Sequence, residues 1–335
     1  MTKKFLAIDL GGSYTSLYLR GEGLVLREPT LVLSVATKDG FEVKAIGNDA
    51  KAMEGRTNNE MILSSPISNG VVANEQLCVK MLKHFLKKIE FDTFLRCMEV
   101  VCVVPCSIDA DQANLYLSTL YQAGLKNVTL VPSAIATALG GGKFIHTPLT
   151  YFVVDVGGSY TDICVINSNQ IVKGCTVDVG GNMMDKAVAK AVEDYYKVKI
   201  SNQTAKMIKE EIGTLFDKDS QNIEVVGVDV QTLAPKNFIV VADVVKDAIY
   251  PFFEKIAQAI ATTISTCSPN ISADINQNGI FFGGGVSAIT GLENFMRKQL
   301  KLNVYILQDN DKTAILGAGK LLSEPVQLNE IMKNF

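Results

Sequence analysis

Two aspartates, each followed by the same glycine-rich segment, are the residues best suited to chemistry in this chain. The first segment runs from Asp9 through Leu-Gly-Gly-Ser-Tyr to Thr15, and the second runs from Asp155 through Val-Gly-Gly-Ser-Tyr to Thr161. Glycine lets backbone N–H groups approach an anion closely, and the hydroxyls add further donors. A carboxylate beside such a segment could hold hydrated Mg²⁺, which prefers oxygen ligands. Two such segments facing each other would grip a polyphosphate from both sides.

The elements that position these aspartates are short apolar strands. Each aspartate ends one, and alternation of apolar and polar residues resumes directly after each glycine-rich segment. Both copies therefore predict a β-hairpin with a glycine-bearing turn. A single copy would also fit an ordinary tight turn. A near-identical repeat about 146 residues further on indicates a duplicated half-structure instead.

Composition limits the classes of protein that fit. The chain has 335 residues, 47% of them apolar and 20% charged, with a formal charge of −3. These values predict a soluble protein of at least two domains, and they argue against a sequence-independent nucleic-acid binder. No apolar run reaches the roughly 18 to 20 residues of a membrane span, and the apolar stretch after Lys4 stops too early for a signal peptide. We expect a cytoplasmic protein.

Cysteine and histidine usage argues against metal-centre and triad chemistry. The seven cysteines form no C-x-x-C pair, and the two histidines form no H-E-x-x-H segment. The chain therefore offers too few suitable residues for a zinc centre or a serine-hydrolase triad. We expect buried free thiols rather than disulfides.

The order of elements predicts two α/β halves with a cleft between them. In the first half a fully apolar strand is expected at 99–105, and helices at 75–89, 109–123 and 133–139. After a crossover at 140–142, helices are expected at 183–197, 203–216 and 240–267, and a last strand at 279–282.

Three motifs together carry a family resemblance. The two aspartate segments and Phe282-Gly-Gly-Gly resemble the phosphate-1, phosphate-2 and adenosine motifs of the actin, Hsp70 and hexokinase superfamily. Segments between them, such as 45–56, 208–213 and 317–320, resemble MreB, the bacterial actin of rod-shape determination. The likeness spans residues 5 to about 323.

The resemblance implies an α/β, actin-like fold. Two RNase H-like lobes, each with a smaller inserted subdomain, would surround a central nucleotide cleft. Subdomain IA is expected over 1–32 and 66–141, IB over 33–65, IIA over 142–181 and 240–325, IIB over 182–239, and a C-terminal tail over 326–335. The resemblance further implies ATP or ADP with Mg²⁺ in the cleft. It implies homopolymers of double protofilaments, cell-shape partner proteins, and docking on the inner face of the membrane.

Site residues carry over position by position. Asp9 and Asp155 would organise the metal and its waters. The residues expected around the phosphates are Gly11, Gly12, Ser13, Tyr14, Gly157, Gly158 and Ser159. Those expected around the adenosine are Lys206, Lys209, Glu210, Gly284, Gly285 and Val286. The three charged residues share one helix face through i, i+3, i+4 spacing. A solvated charge cluster, and a plain turn at the glycines, are the alternative interpretations.

The chain departs from the family pattern at Ser133. The resemblance places a hydrolytic glutamate there, whereas a hydroxyl is a poor general base, and losing a positioned proton acceptor typically costs about 10²- to 10⁴-fold in rate. Thr161, expected to help place the water beside Asp155, is retained, so we expect ATP binding with slow hydrolysis. A one-residue shift in alignment is the alternative, yet no acidic residue lies between Gly124 and Asp155. Asn182 likewise replaces an expected acidic residue.

A further hypothesis concerns membrane contact. Phe91, Phe94 and Leu95, flanked by basic residues, lie where the resemblance places an exposed apolar loop that could insert between anionic lipids. A loop that folds onto its own subdomain is the alternative. Competing functions for the whole chain are a small-molecule kinase of the same superfamily, an Hsp70-type chaperone, and a nucleotide-sensing pseudo-ATPase that does not polymerise.

Overall fold

The main architecture consists of two five-stranded mixed sheets of the same topology. The computed structural model describes residues 4–37, 40–56, 60–91 and 98–332. In spatial order, the first sheet contains β10 (Val128–Pro132), β9 (Met98–Val104), β1 (Lys4–Leu10), β2 (Tyr14–Leu19) and β3 (Gly23–Pro29). The second contains β18 (Val304–Ile306), β17 (Ile280–Gly283), β11 (Tyr151–Val156), β12 (Thr161–Asn167) and β13 (Gln170–Val177).

The two glycine-bearing hairpins lie at the centre of these sheets. Strand β1 pairs antiparallel with β2 and parallel with β9, and β11 pairs in the same way with β12 and β17. Both predicted hairpins are confirmed. Because each central strand is buried on both faces, its carboxyl end delivers an aspartate to the interior edge of its sheet. The equivalent pairing also confirms the duplicated half-structure.

The remaining strands of the described residues form three smaller sheets. One has the order β5 (Gly40–Ile46), β4 (Val32–Thr37) and β6 (Met61–Ser64), and another the order β14 (Val198–Lys199), β15 (Asn222–Asp229) and β16 (Pro235–Val241). The third pairs β7 (Ile67–Ser68) with β8 (Val71–Val72). Strand β16 was not expected from the sequence, because it begins with proline and most of its residues are exposed. The subdomain boundaries remain predictions.

The helices surround the two main sheets. In the first half they are α1 (Asn48–Ala52), α2 (Glu75–Lys88), α3 (Ala110–Gln122) and α4 (Ser133–Gly140). In the second half they are α5 (Gly181–Tyr196), α6 (Asn202–Ile212), α7 (Ala242–Ser265), α8 (Pro269–Asn278), the 3₁₀ turn η1 (Gly285–Ala288), α9 (Leu292–Leu300), α10 (Thr313–Leu321) and α11 (Pro325–Met332). The predicted end of α6 was wrong, because Gly213 is extended and the helix stops before residue 216. Helix α8 was not predicted, because only Ile275 in it is buried.

A third apolar cluster joins the lobes. Besides one core in each lobe, residues of α4 and α10 pack together with strands of both main sheets. The two helices cross at backbone contact, since a Cβ atom at Gly317 would overlap the Ala136 carbonyl, and one at Gly140 would overlap the backbone of Thr313. The lobes therefore meet at this crossing, which packs against β1 and β11.

The proposed membrane loop is placed only in part. Phe91 belongs to the first-lobe core, with 5% of its surface exposed and the Lys4 ammonium 5.6 Å from its ring centroid. Its expected role as an exposed membrane residue is therefore wrong, since burial in that core removes it from the surface. Phe94 and Leu95 lie outside the described residues. In the described parts of the chain, no helix combines the length and apolarity that a membrane span requires.

Candidate functional site

A cavity of about 500 Å³ opens between the two lobes, and both glycine-rich segments line it. This volume falls within the range of small-molecule sites. Its wall includes these sequence-predicted residues: Asp9, Gly11, Gly12, Ser13, Tyr14, Ser133, Asp155, Gly157, Gly158, Ser159, Lys206, Lys209, Glu210, Gly284, Gly285 and Val286. Thr161 lies behind the wall, fully buried, with its hydroxyl donating to the Val179 carbonyl at 2.7 Å.

The turns of the two hairpins are nested against each other across the cavity. A Cβ atom at Gly12 would overlap the Ser159 hydroxyl, and a Cβ atom at Gly158 would overlap the Ser13 hydroxyl. Each serine thus lies over the glycine of the opposite turn. Glycine is required at these positions for close approach of two backbones, which periodicity alone does not reveal.

The two strand-end carboxylates lie in a poorly solvated environment. Burial raises the pKa of Asp9 to about 6, although the positive charge of Arg27 opposes the shift. Burial raises the pKa of Asp155 to about 7, against a hydrogen bond of 2.9 Å from the Thr137 hydroxyl. The negative charges of Asp162 and Asp9 raise the pKa of Asp155 further. The site concentrates negative charge that a bound cation would stabilise.

This arrangement fits Mg²⁺ held mainly by waters and phosphates. Within the described residues, no group of three or more His, Cys, Asp or Glu side chains is arranged to hold a metal ion alone. Mg²⁺ commonly takes one or two carboxylates and completes its shell with waters and substrate phosphates. Asp9 and Asp155 both line the cavity and would supply those two carboxylates.

Ser133 lies at the start of α4, with 1% of its surface exposed. Its hydroxyl donates to Oδ2 of Asp162, which is fully buried behind the cavity wall. The same carboxylate also accepts from the Cys106 backbone N–H at 3.0 Å and from the Thr176 hydroxyl. Asp162 was not anticipated from the sequence. It is directly opposite Asp155 in the pairing of β11 with β12, so Ser133 lies beside two carboxylates.

The three charged residues of α6 divide into two roles. Lys209 is buried and forms an ion pair of 2.6 Å with Asp185, while its ammonium also donates to the Gly181 carbonyl at 3.1 Å. Lys206 is 3.8 Å from Glu210 and 4.7 Å from the centroid of the Tyr14 ring. All three line the cavity, at the site where the resemblance to the family placed them. The ammonium of Lys209, however, binds two residues in the first turns of α5, Gly181 and Asp185, and so stabilises the start of that helix.

The adenosine-motif turn packs directly on the second hairpin. Gly284 has φ of +80°, and a Cβ atom there would overlap both the Val156 carbonyl and an Asp155 carboxylate oxygen. Its N–H donates to the Asn310 carbonyl at 2.8 Å. A side chain at Gly284 is therefore excluded both by conformation and by space.

Several cavity residues were missed in the sequence because their neighbours come from distant segments. Arg27 of β3 forms an ion pair of 3.1 Å with Asp311 of the other lobe, and its guanidinium lies 4.4 Å from the Tyr14 ring centroid. Asn310 and Asp185 also line the wall. None belongs to a local motif, so no signal in one sequence identifies them.

Two lobes of equivalent topology, joined at two crossed helices and in contact through their glycine-bearing turns, define the actin-like class of α/β proteins. The chain belongs to the MreB/Mbl protein family, whose model matches residues 3–330. It is 30% identical over 333 residues to the cell shape-determining protein MreB of Escherichia coli strain K12, with 96% of each chain covered. It is 28% identical over 323 residues to the cell shape-determining protein Mbl of Bacillus subtilis strain 168, again with 96% of each covered.

Solved structures agree with this fold. MreB5 of Spiroplasma citri bound to AMPPNP superimposes with a TM-score of 0.91 at 24% identity, covering 98% of each chain. The MamK double helical filament superimposes with a TM-score of 0.78 at 22% identity, covering 96% of this chain and 99% of that one. These likenesses establish the actin-like architecture expected from the sequence.

Proposed function

We propose that this protein is an ATP-binding, filament-forming bacterial actin homologue that acts in cell-shape determination and hydrolyses ATP slowly. The observation that carries the proposal is the nesting of two glycine-rich turns over one cavity, with a buried aspartate at the end of each preceding strand. Relatives named as cell shape-determining proteins, and structural neighbours described as nucleotide-bound or filamentous, support it.

In this proposal the phosphates lie in the cavity that both turns line. Ser159 and Ser13 would donate hydroxyl hydrogen bonds to them, Ser13 by turning its hydroxyl away from Asn182 Oδ1, to which it donates at 2.8 Å. Backbone N–H groups of both turns would supply further donors. Asp9 and Asp155 would hold Mg²⁺ and its waters, and so would bring positive charge beside the phosphates. Because the two turns belong to different lobes, a nucleotide that binds both favours closure about the α4–α10 crossing.

Slow hydrolysis follows from Ser133. A neutral hydroxyl is too weakly basic to be a strong proton acceptor for the attacking water, and that of Ser133 is held in place by its donation to Asp162. We therefore expect bound ATP to persist, and assembled filaments to persist with it. Partner proteins would then regulate disassembly more than hydrolysis does.

The test combines nucleotide titration with electron microscopy. Purified protein should bind ATP and ADP in the presence of Mg²⁺, and should form double protofilaments with ATP or AMPPNP. Asp155→Asn, which keeps the side-chain size and removes the charge, should lose Mg²⁺-dependent binding and pelleting. No nucleotide binding by the unaltered protein would refute the proposal. Binding without any polymer would leave a non-polymerising nucleotide sensor in its place.

Membrane docking is a separate part of the proposal. The remaining candidates are Phe94 and Leu95, which follow the basic end of α2 in the sequence. A Phe94→Asp, Leu95→Asp double variant should sediment less with anionic liposomes than the unaltered protein, while its nucleotide binding is retained. Undiminished sedimentation would eliminate this loop as the anchor.

A further inference from the structure

The tyrosine of each glycine-rich segment contacts the opposite lobe. Tyr160 belongs to the second lobe, and its ring packs on Gly70 of the first lobe, in the turn between β7 and β8, where a Cβ atom would overlap the ring. Tyr14 belongs to the first lobe, and the ammonium of Lys206, on α6 of the second lobe, lies 4.7 Å from its ring centroid. The duplicated motif therefore supplies two contacts between the lobes, one from each copy.

These two contacts differ in kind. The contact of Tyr160 is close packing against a glycine with φ of +75°, whose carbonyl also accepts from the Tyr116 hydroxyl at 2.8 Å. The contact of Tyr14 is a cation–π interaction, and both Tyr14 and Lys206 are half-buried. Cation–π interactions are weak at exposed sites and stronger where the cation is desolvated. The Tyr14 contact is therefore the one that can break and form again without repacking of a glycine turn.

Arg27 holds the Tyr14 ring from the side of the first lobe. In the pairing of β2 with β3, Arg27 lies opposite Ser16, which places it diagonally next to Tyr14 on the same face of the sheet. Its guanidinium carbon is 4.4 Å from the Tyr14 ring centroid, and it also forms an ion pair of 3.1 Å with Asp311, which precedes α10. The ring is thus already ordered where Lys206 meets it, so the contact has little side-chain entropy to overcome.

The charges around the ring are balanced, and the cavity stays open beneath them. Arg27 is paired with Asp311, and Lys206 lies 3.8 Å from Glu210, so each cation near the ring has its own carboxylate. This pairing offsets the repulsion between the two cations. Tyr14, Arg27 and Lys206 line the cavity, which keeps a volume of about 500 Å³ while their contacts are made. Closure at this point therefore leaves room for a small molecule.

We propose that the contact between Tyr14 and Lys206 is a clasp that holds the two lobes closed over a bound nucleotide and so slows its release. Because the two side chains belong to different lobes, opening of the cleft separates them, and each release event must break the contact. The inference rests on the proposed nucleotide function and deepens it. It assigns part of the lifetime of the bound state to one contact between the lobes.

Tyr14→Leu is the sharpest test, because it keeps an apolar side chain and removes the aromatic face. Tritium-labelled ADP, bound in Mg²⁺, chased with unlabelled ADP and followed by rapid filtration, gives the dissociation rate without a bulky label. We expect release to be about three- to tenfold faster, the range of a cation–π contact at a half-buried site. Tyr14→Phe keeps the ring face and should restore most of the slow release. Equal acceleration by both substitutions, or none by Tyr14→Leu, would overturn the inference.

Lys206→Met tests the other side of the clasp, since it removes the charge and keeps most of the side-chain stem. Release should be accelerated to a similar extent, and the double variant with Tyr14→Leu should be no faster than the faster single variant, because the same contact is already lost. Multiplied effects would show that the two residues act separately, which would overturn the inference.

Lys199→Met is the matched control for loss of charge. Lys199 lies on β14 of the same lobe, outside the cavity wall, and its ammonium is 3.6 Å from Glu193. It should release ADP at the rate of the unaltered protein, and acceleration equal to that of Lys206→Met would attribute the effect to net charge and overturn the clasp. Failure of the unaltered protein to bind ADP would instead refute the proposed function.

Discussion

Introducing a carboxylate at position 133 should raise ATP hydrolysis far less than the usual contribution of a general base. A positioned general base is worth about 10²- to 10⁴-fold, or roughly 3 to 5 kcal/mol of barrier. In Ser133→Glu, however, the new carboxylate would lie beside Asp155 and Asp162, which flank the serine. Like charges about 4 Å apart repel by about 4 kcal/mol at the effective dielectric of a protein surface. The two effects are of similar size.

The new glutamate would therefore be largely protonated at neutral pH, and a protonated carboxyl group is not a base. We expect Ser133→Glu alone to gain less than about tenfold, with a rate that rises between pH 7 and pH 9. Combination with Asp162→Asn removes one repelling charge while its amide can still accept from the Cys106 N–H and donate to Thr176. The double variant should then gain about 10²- to 10³-fold.

Single-turnover phosphate release with Mg²⁺ and ATP, below the concentration for assembly, is the appropriate assay. Ser133→Ala is the control, and it should not exceed the unaltered protein because it supplies no proton acceptor. A full gain from Ser133→Glu alone would show that Asp162 does not oppose the new charge. No gain from the double variant would show that Ser133 is not what limits hydrolysis.

Further predictions follow from burial, charge and packing. In the absence of metal and nucleotide, the folded protein retains protons on Asp9 and Asp155 that the unfolded chain releases near pH 4. The free energy of unfolding should therefore fall as the pH rises from about 4 to about 7, and Asp155→Asn should reduce this dependence. A melting temperature of the metal-free protein that does not change with pH would contradict this. Lys209→Ala breaks a buried ion pair and should lower the free energy of unfolding by about 3 to 5 kcal/mol in denaturant titrations, whereas Lys206→Ala should lower it by less than about 1 kcal/mol. Equal losses would refute the assignment of a structural role to Lys209 alone. Gly317→Ala should cost about 1 to 3 kcal/mol, since the added methyl group overlaps the backbone of the crossing helix, and an unchanged melting temperature would refute that close approach.

Features encoded over a few consecutive residues were readable from the sequence. The alternation on either side of Gly11 and Gly157 predicted both hairpins, because side-chain alternation and turn chemistry are local. The spacing of apolar residues predicted α2, whose inward face is buried as expected. The repetition of one motif predicted two lobes of the same topology, since each copy begins the same kind of sheet.

Features that depend on contacts between distant segments were decided only by the tertiary structure. Burial of Asp162 behind Ser133, the ion pair of Lys209 with Asp185, and the bond from Ser13 to Asn182 each join residues that no periodicity relates. The sequence determines which chemical groups the protein contains. The tertiary structure determines which of these groups share a low-dielectric cavity, because the two lobes bring distant segments together. Only there do the groups change one another's charge and hydrogen bonding.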